Sequence, residues 1–268
     1  MKKSALFLLI CGVSFLSSAQ NDQEWKIAFH VDPNVSWLKP DHKDIEQEGN
    51  KLRFGFGVSI DKMFTDNYAI GTGLNLITTG GELTYLKKDD VDVNSKSTQF
   101  VTKVTRNYNL KYVEVPLTLK LRTNEIGYMT YWGQMGLGLG FKYRAQANED
   151  ITYVKQKIED DSSTPNENEE AWIDSQLSAA TVEDQDVDDD IALFRTSLIA
   201  GLGIEYNISG NTSIVAGVIY NNGFGDVLKK QGVMKETNGS PVFTNLEPKL
   251  FDLKSMNNFV ALQIGILF

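Results

Sequence analysis

From Trp25 onward, apolar and polar residues alternate with a period of two in eight separate stretches. In the first, Trp25, Ile27, Phe29, Val31, Val35 and Trp37 take the odd positions, with His30, Asp32, Asn34 and Ser36 between them. In the second, Leu52, Phe54, Phe56, Val58 and Ile60 face Arg53, Gly55, Gly57, Ser59 and Asp61. The same pattern recurs over 68–76, 113–122, 129–144, 194–206, 213–220 and 260–268. A period of two predicts strands with one greasy and one polar face. No stretch after the first twenty residues holds the ~18 consecutive apolar residues of a membrane helix.

The connections alternate in length. Residues 65–67, 123–127 and 207–211 are short, whereas 39–50, 89–100, 146–190 and 225–254 are long. Eight strands with short turns at one end and long loops at the other predict an all-β protein. Its expected form is an eight-stranded antiparallel up-and-down transmembrane β-barrel, with short periplasmic turns and long extracellular loops. A soluble sandwich also alternates. Its polar face, however, is ordinarily rich in Lys, Glu and Thr, whereas here Gly55, Gly57, Gly71, Gly73, Gly136, Gly138, Gly140, Gly201 and Gly203 occupy it. That suits a narrow lumen. Aromatic residues near strand ends (Trp25, Tyr68, Tyr128, Tyr206, Tyr220) fit interfacial girdles. Phe268 is expected to be the outward residue that closes the eighth strand onto the first and to act as a membrane-insertion signal. Strands three and four exceed the ~9–11 residues a crossing needs, so their hairpin is expected to project beyond the outer surface. Pro116 lacks an N–H for the ladder of the fourth strand, and a bulge is expected there.

The first residues change the picture of where the chain goes. Lys2 and Lys3, the apolar run from Ala5 to Leu16 and the small residues Ser17, Ser18 and Ala19 predict a cleaved signal peptide over 1–20. The barrel is then expected over 21–268, in the cell outer membrane. Cys11, the single cysteine, falls inside the leader, so neither disulfides nor thiolate metal sites are expected in the mature chain. Loss of Lys2 and Lys3 takes the formal charge from −9 to −11, which argues against a nucleic-acid partner. Much of that charge lies in the loop 146–190, where fifteen Asp and Glu residues stand against Lys155 and Lys157. The run Asp184, Asp186, Asp188 echoes a calcium loop but lacks its glycine and its closing glutamate, so a solvated, partly disordered acidic loop is the expectation.

Candidate chemistry is confined to the polar face. Asp32, Arg53, Asp61, Glu114, Lys120, Arg122, Lys142, Arg144, Arg195 and Glu205 project inward, with His30 nearby. Buried charges must pair, so the expectation is a structural, salt-bridged lumen network of Arg53, Glu114, Lys142, Arg195 and Glu205, with Glu114 at its centre. A narrow ion or ligand path through it is the alternative. Catalysis would need a base and a nucleophile that converge. His30 and His42 are the only imidazoles, and no Gly-x-Ser-x-Gly elbow is present. No catalytic residue, cofactor or metal is expected.

The stretch Tyr112-Val-Glu-Val-Pro-Leu-Thr-Leu-Lys-Leu-Arg122, followed by Gly136-x-Gly138-x-Gly140, resembles the core of the PorT-like outer-membrane β-barrel family. The resemblance implies an eight-stranded outer-membrane barrel, with Glu114 and Pro116 at motif positions. Because the founding member is implicated in type IX protein secretion, it also implies a possible secretion role. The leading expectation is a non-enzymatic assembly, secretion-accessory or surface-binding component. A narrow channel or small-ligand carrier comes second and an outer-membrane enzyme third. Expected partners are outer-membrane lipid and lipopolysaccharide, the barrel-assembly machinery and other envelope or secretion proteins.

Overall fold

The structure, a computed structural model, describes residues 25–93, 96–157, 172–175, 177–236, 240–244 and 247–268. The expected signal peptide, with Cys11, lies outside them, as do six acidic residues of the long loop between Glu159 and Glu170.

Eight long strands follow one another: β1 (Trp25–Pro40), β2 (Lys51–Thr65), β3 (Tyr68–Val93), β4 (Lys96–Arg122), β5 (Met129–Lys157), β6 (Phe194–Ser209), β7 (Thr212–Asp226) and β8 (Ser255–Leu267). Each pairs antiparallel with the next. β8 returns to β1, with Ala28 opposite Leu267 and Pro40 opposite Ser255, so the ring has no free edge. A closed ring satisfies every strand's backbone internally, which a lipid environment demands. Among the described residues no helix is long and apolar enough to cross a membrane.

The periplasmic turns are tight. Thr65 pairs with Tyr68, and Ser209 pairs with Thr212 around Gly210, whose φ of 55° is ground that favours glycine. The outward alternation forms a continuous apolar band: Leu52 is 77% exposed, Leu202 69%, and Phe29, Phe54, Leu117, Met135 and Ile264 belong to it. Exposed apolar area on this scale marks a surface made for lipid. Tyr68, Tyr128 and Tyr206 flank it on the periplasmic side, with Phe141, Tyr143, Phe194 and Tyr220 on the outer side.

β3, β4 and β5 are 26, 27 and 29 residues long, more than twice what a crossing requires. The 89–100 stretch is therefore not an open loop but the tip of a hairpin, paired as far as Val93 opposite Lys96. The 146–190 loop likewise begins as strand. β5 runs to Lys157, and the segments Trp172–Asp174 and Ala180–Asp186 fold back against it.

The bulge expected at Pro116 is not there. β3 and β4 keep one register from Tyr68–Leu121 through Asn75–Glu114, and only the pairs at Gly73 and Leu74 are missing from the ladder. Pro116 lacks its N–H on that side, while its carbonyl accepts from Thr72 Oγ1 at 2.9 Å. Pro33 is accommodated in the same way: β1 and β8 skip two pairs between Val31–Ile264 and Asn34–Ala261 without slipping. Where β4 meets β5 the ladder does slip, between Lys111–Arg144 and Tyr112–Lys142, which leaves Tyr143 as an extra residue. This bulge turns both Tyr143 and Arg144 outward, so Arg144 does not join the lumen as the alternation had implied.

Candidate functional site

The lumen holds three polar layers. Nearest the periplasm, Lys120 Nζ lies 2.8 Å from Asp61 Oδ2 and 3.3 Å from Glu205 Oε1, while Arg122 pairs with Glu205 Oε2. Trp132 covers this cluster, with Lys120 Nζ 5.1 Å from its ring centroid. The ring fits because Gly217 faces it, where a Cβ would collide with the indole.

In the middle layer, Glu114 (2% exposed) accepts from Arg195 Nη1 at 3.1 Å, Asn221 Nδ2 at 3.1 Å and Ser197 Oγ at 3.4 Å. Arg195 (3% exposed) also donates to Asn221 Oδ1 at 2.5 Å and to the Asn257 carbonyl at 3.0 Å, with Phe259 beneath it. β5 lies between these partners, and Gly138 leaves room for the bridge: a Cβ there would stand 2.6 Å from Ser197 Oγ and 2.9 Å from the Glu114 carboxylate. His30 Nδ1 is 2.8 Å from Asp32 Oδ2. Higher up, Arg53 Nη2 donates to Asn107 Oδ1 and to the Tyr108 carbonyl, both at 3.1 Å.

Of the five residues expected to share one network, Glu114 and Arg195 meet directly. Glu205 belongs to the Lys120 and Arg122 cluster. Arg53 and Lys142 lie further out, Lys142 donating to the carbonyls of Asp188 and Ile191 in the mouth. The layers enclose a cavity of about 70 Å³ beside His30, Asn75, Glu114 and Gln134, room for roughly five waters. The same cavity is lined by the buried apolar residues Ile77, Ile199, Val215, Ile219 and Phe259.

The outer mouth is closed by something the alternation did not suggest. Leu38, Ile45, Leu83, Tyr85, Tyr108, Leu110, Tyr112, Val187, Ile191, Val227, Leu228 and Leu253 form a buried apolar core above the lumen, with Phe251 packed on it. These residues come from the outer end of β1 and the loop after it, the projecting parts of β3 and β4, the end of the acidic loop and the 227–254 connection. Arg106, 1% exposed, is set into this cap. It pairs with Glu149 and, through Nη1, with Asp190 Oδ2 at 3.1 Å, while Lys230 reaches Asp190 at 2.6 Å. Burial pulls the Arg106 guanidinium down, but the neighbouring Tyr85, Tyr108 and Glu149 outweigh it and hold its pKa above the ordinary value. Among the described loop acids, Glu149 and Asp190 are held through Arg106, and the Asp188 carboxylate accepts the Ala145 N–H at 2.5 Å.

Tyr85 and Tyr108, with hydroxyls 3.3 Å apart, are raised above the usual phenol range, chiefly by burial. A raised folded-state pKa stabilises fully below the unfolded value of ~10 and loses that stability as pH climbs through the folded one. An absorbance titration of tyrosinate in the folded barrel should therefore leave these two phenols protonated at a pH where tyrosine in the unfolded chain ionises. The cap should loosen only above that point. Ionisation of Tyr85 and Tyr108 at the pH of tyrosine in the unfolded chain would contradict a closed cap.

The geometry is that of an outer-membrane β-barrel, and a family model agrees: one described as outer membrane protein beta-barrel domain matches residues 18–172. The chain belongs to that family and resides in the outer membrane. No curated protein matches it. Among solved structures it is similar to Neisserial surface protein A (9% identity, 92% of this chain and 98% of that one, TM-score 0.43). It is also similar to Ail of Yersinia pestis, solved with the heparin analogue sucrose octasulfate (15%, 91% and 99%, TM-score 0.35). A third is the outer membrane protease OmpT of Escherichia coli (8%, 93% and 97%, TM-score 0.35).

Proposed function

We propose that the chain is a non-enzymatic, non-conducting outer-membrane protein that works through its folded extracellular cap, as an assembly, secretion-accessory or surface-binding component. The apolar core that seals the outer mouth carries this reading. Loops that served only to connect strands would gain nothing by burying Leu83, Tyr85, Tyr108 and Leu253 together. A packed core instead fixes the shape of the surface above it. Below it, the Glu114–Arg195 and Lys120–Glu205 pairs fill part of the lumen with charges that neutralise each other, which supports a plugged barrel. The PorT-like motif around Glu114 and Pro116 favours the secretion-accessory form, with envelope proteins as partners.

The narrow-channel alternative draws on the small cavity beside His30, whose Nε2 is buried there without a hydrogen-bond partner. Planar-bilayer recordings separate the two. The intact barrel is expected to pass no steady current, and in-cell cross-linking from cap positions such as Lys103 is expected to capture an envelope protein. Stable conductance steps from the intact barrel would sink the capped, non-conducting reading in favour of the channel.

A further inference from the structure

We propose that the outer rim carries a binding site for the phosphorylated headgroup of an outer-leaflet glycolipid, formed by Thr78, Lys111 and Arg144. The three residues lie side by side on adjacent strands, Thr78 opposite Lys111 on β3 and β4, and Lys111 opposite Arg144 on β4 and β5. All three face outward: Arg144 is exposed, and Thr78 and Lys111 are half-exposed. The bulge at Tyr143 makes the row, since without it Arg144 would point into the mouth.

Two like charges directly opposite each other across a ladder repel and destabilise the pair. Here nothing on the protein relieves them: neither side chain has an ion pair or side-chain hydrogen bond among the described residues. Asp188, which the loop brings alongside Ala145, spends its carboxylate on the Ala145 N–H and on Lys142 instead. The row therefore lacks an anion, and its height says where one would come from. Directly below it lie Leu76, Phe141 and Tyr143, all exposed, with Phe141 edge-on to Phe194 at 5.2 Å. These are lipid-band and girdle residues, so the cations sit at headgroup level on the extracellular side. A guanidinium, an ammonium and a hydroxyl in a row match the oxygens of a phosphate monoester. The apolar residues beneath receive the acyl chains of the same molecule, a geometry that a soluble anion cannot use.

The test is native mass spectrometry of the full barrel in detergent micelles doped with a phosphorylated lipid A-type glycolipid or its dephosphorylated form. The wild type is expected to retain the phosphorylated form preferentially. Lys111→Gln and Arg144→Gln should each weaken retention about fivefold, and the pair together about thirtyfold. Lys62→Gln, on the periplasmic rim, should change nothing. Heat-modifiable migration reports folding. Should the double variant not fold, the wild type decides, because high salt must release the phosphorylated form and leave the dephosphorylated form unaffected. Equal retention of both glycolipids, retention by the folded double variant at the wild-type level, or retention at high salt overturns the proposal. Displacement by excess inorganic phosphate would mark a bare anion site and overturn the headgroup assignment.

Discussion

Replacing Glu114 with alanine is expected to lower the unfolding free energy of the folded barrel by about 3–5 kcal/mol, the cost of leaving a buried cation without its counter-charge. Arg195 would keep Asn221 Oδ1 and the Asn257 carbonyl, both neutral acceptors. Neither offsets a full positive charge that is 3% exposed. The adjacent cavity admits water, which places the loss toward the lower end of that range. Removing both charges should cost less than removing one, because no ion is then stranded. Denaturant titrations of Glu114→Ala, Arg195→Met and the double variant in one detergent measure this as a cycle. If the double variant loses as much as the two singles added together, the residues do not act as a pair and the account of the middle layer is wrong.

Deleting Phe268 is expected to cut the yield of folded barrel several-fold. The Phe268 N–H donates to the Ile27 carbonyl at 2.8 Å, and its own carbonyl accepts from the Ile27 N–H at 3.1 Å. Its ring meets Phe29 edge-on at 6.4 Å. Without it, both Ile27 groups face the membrane boundary unpaired, and each unpaired group costs several kcal/mol where water is excluded. Phe268→Tyr keeps the backbone bonds and should assemble close to the wild-type level, which separates the seam from the ring. Refolding into lipid vesicles, followed by unboiled gel migration, reads the folded fraction. Equal yields from the deletion and the wild type would show that the β1–β8 seam closes without these bonds.

The barrel was legible because lipid enforces a contrast between faces that alternation cannot hide: Leu52 through Ile60 read as a strand from residue types alone. The cap was written in the same alphabet with its phase reversed. In β4 the apolar residues at the membrane are odd (Val113, Val115, Leu117). Above Tyr112 they become even (Val104, Tyr108, Leu110), because there the greasy side turns inward to the cap core. The inversion at Tyr112 and Val113 marks the membrane exit, and a reading that followed only the odd set stopped there.

Arg106 was missed for that reason, sitting on the even set among apolar neighbours. The outward turn of Arg144 had no local sign, since a bulge depends on the register of the partner strand. Residue types also identified Glu114 as inward without naming its partner. That choice depends on the stagger of strands around the ring, which sets Gly140 opposite both Glu114 and Arg195.

The long strands also dictate what can move. β3, β4 and β5 run unbroken from the membrane into the cap, so this part of the cap is not hinged to the wall but is the wall, continued. A partner that pulls on it pulls on the hydrogen-bond ladders around Glu114. The 227–254 connection is held differently: among its described residues, Gln231–Val233 pairs with Leu250–Asp252, Val233 lies opposite Leu86, and Val227, Leu228 and Leu253 are buried in the cap core. Load on the cap therefore passes down β3, β4 and β5 into the membrane wall itself.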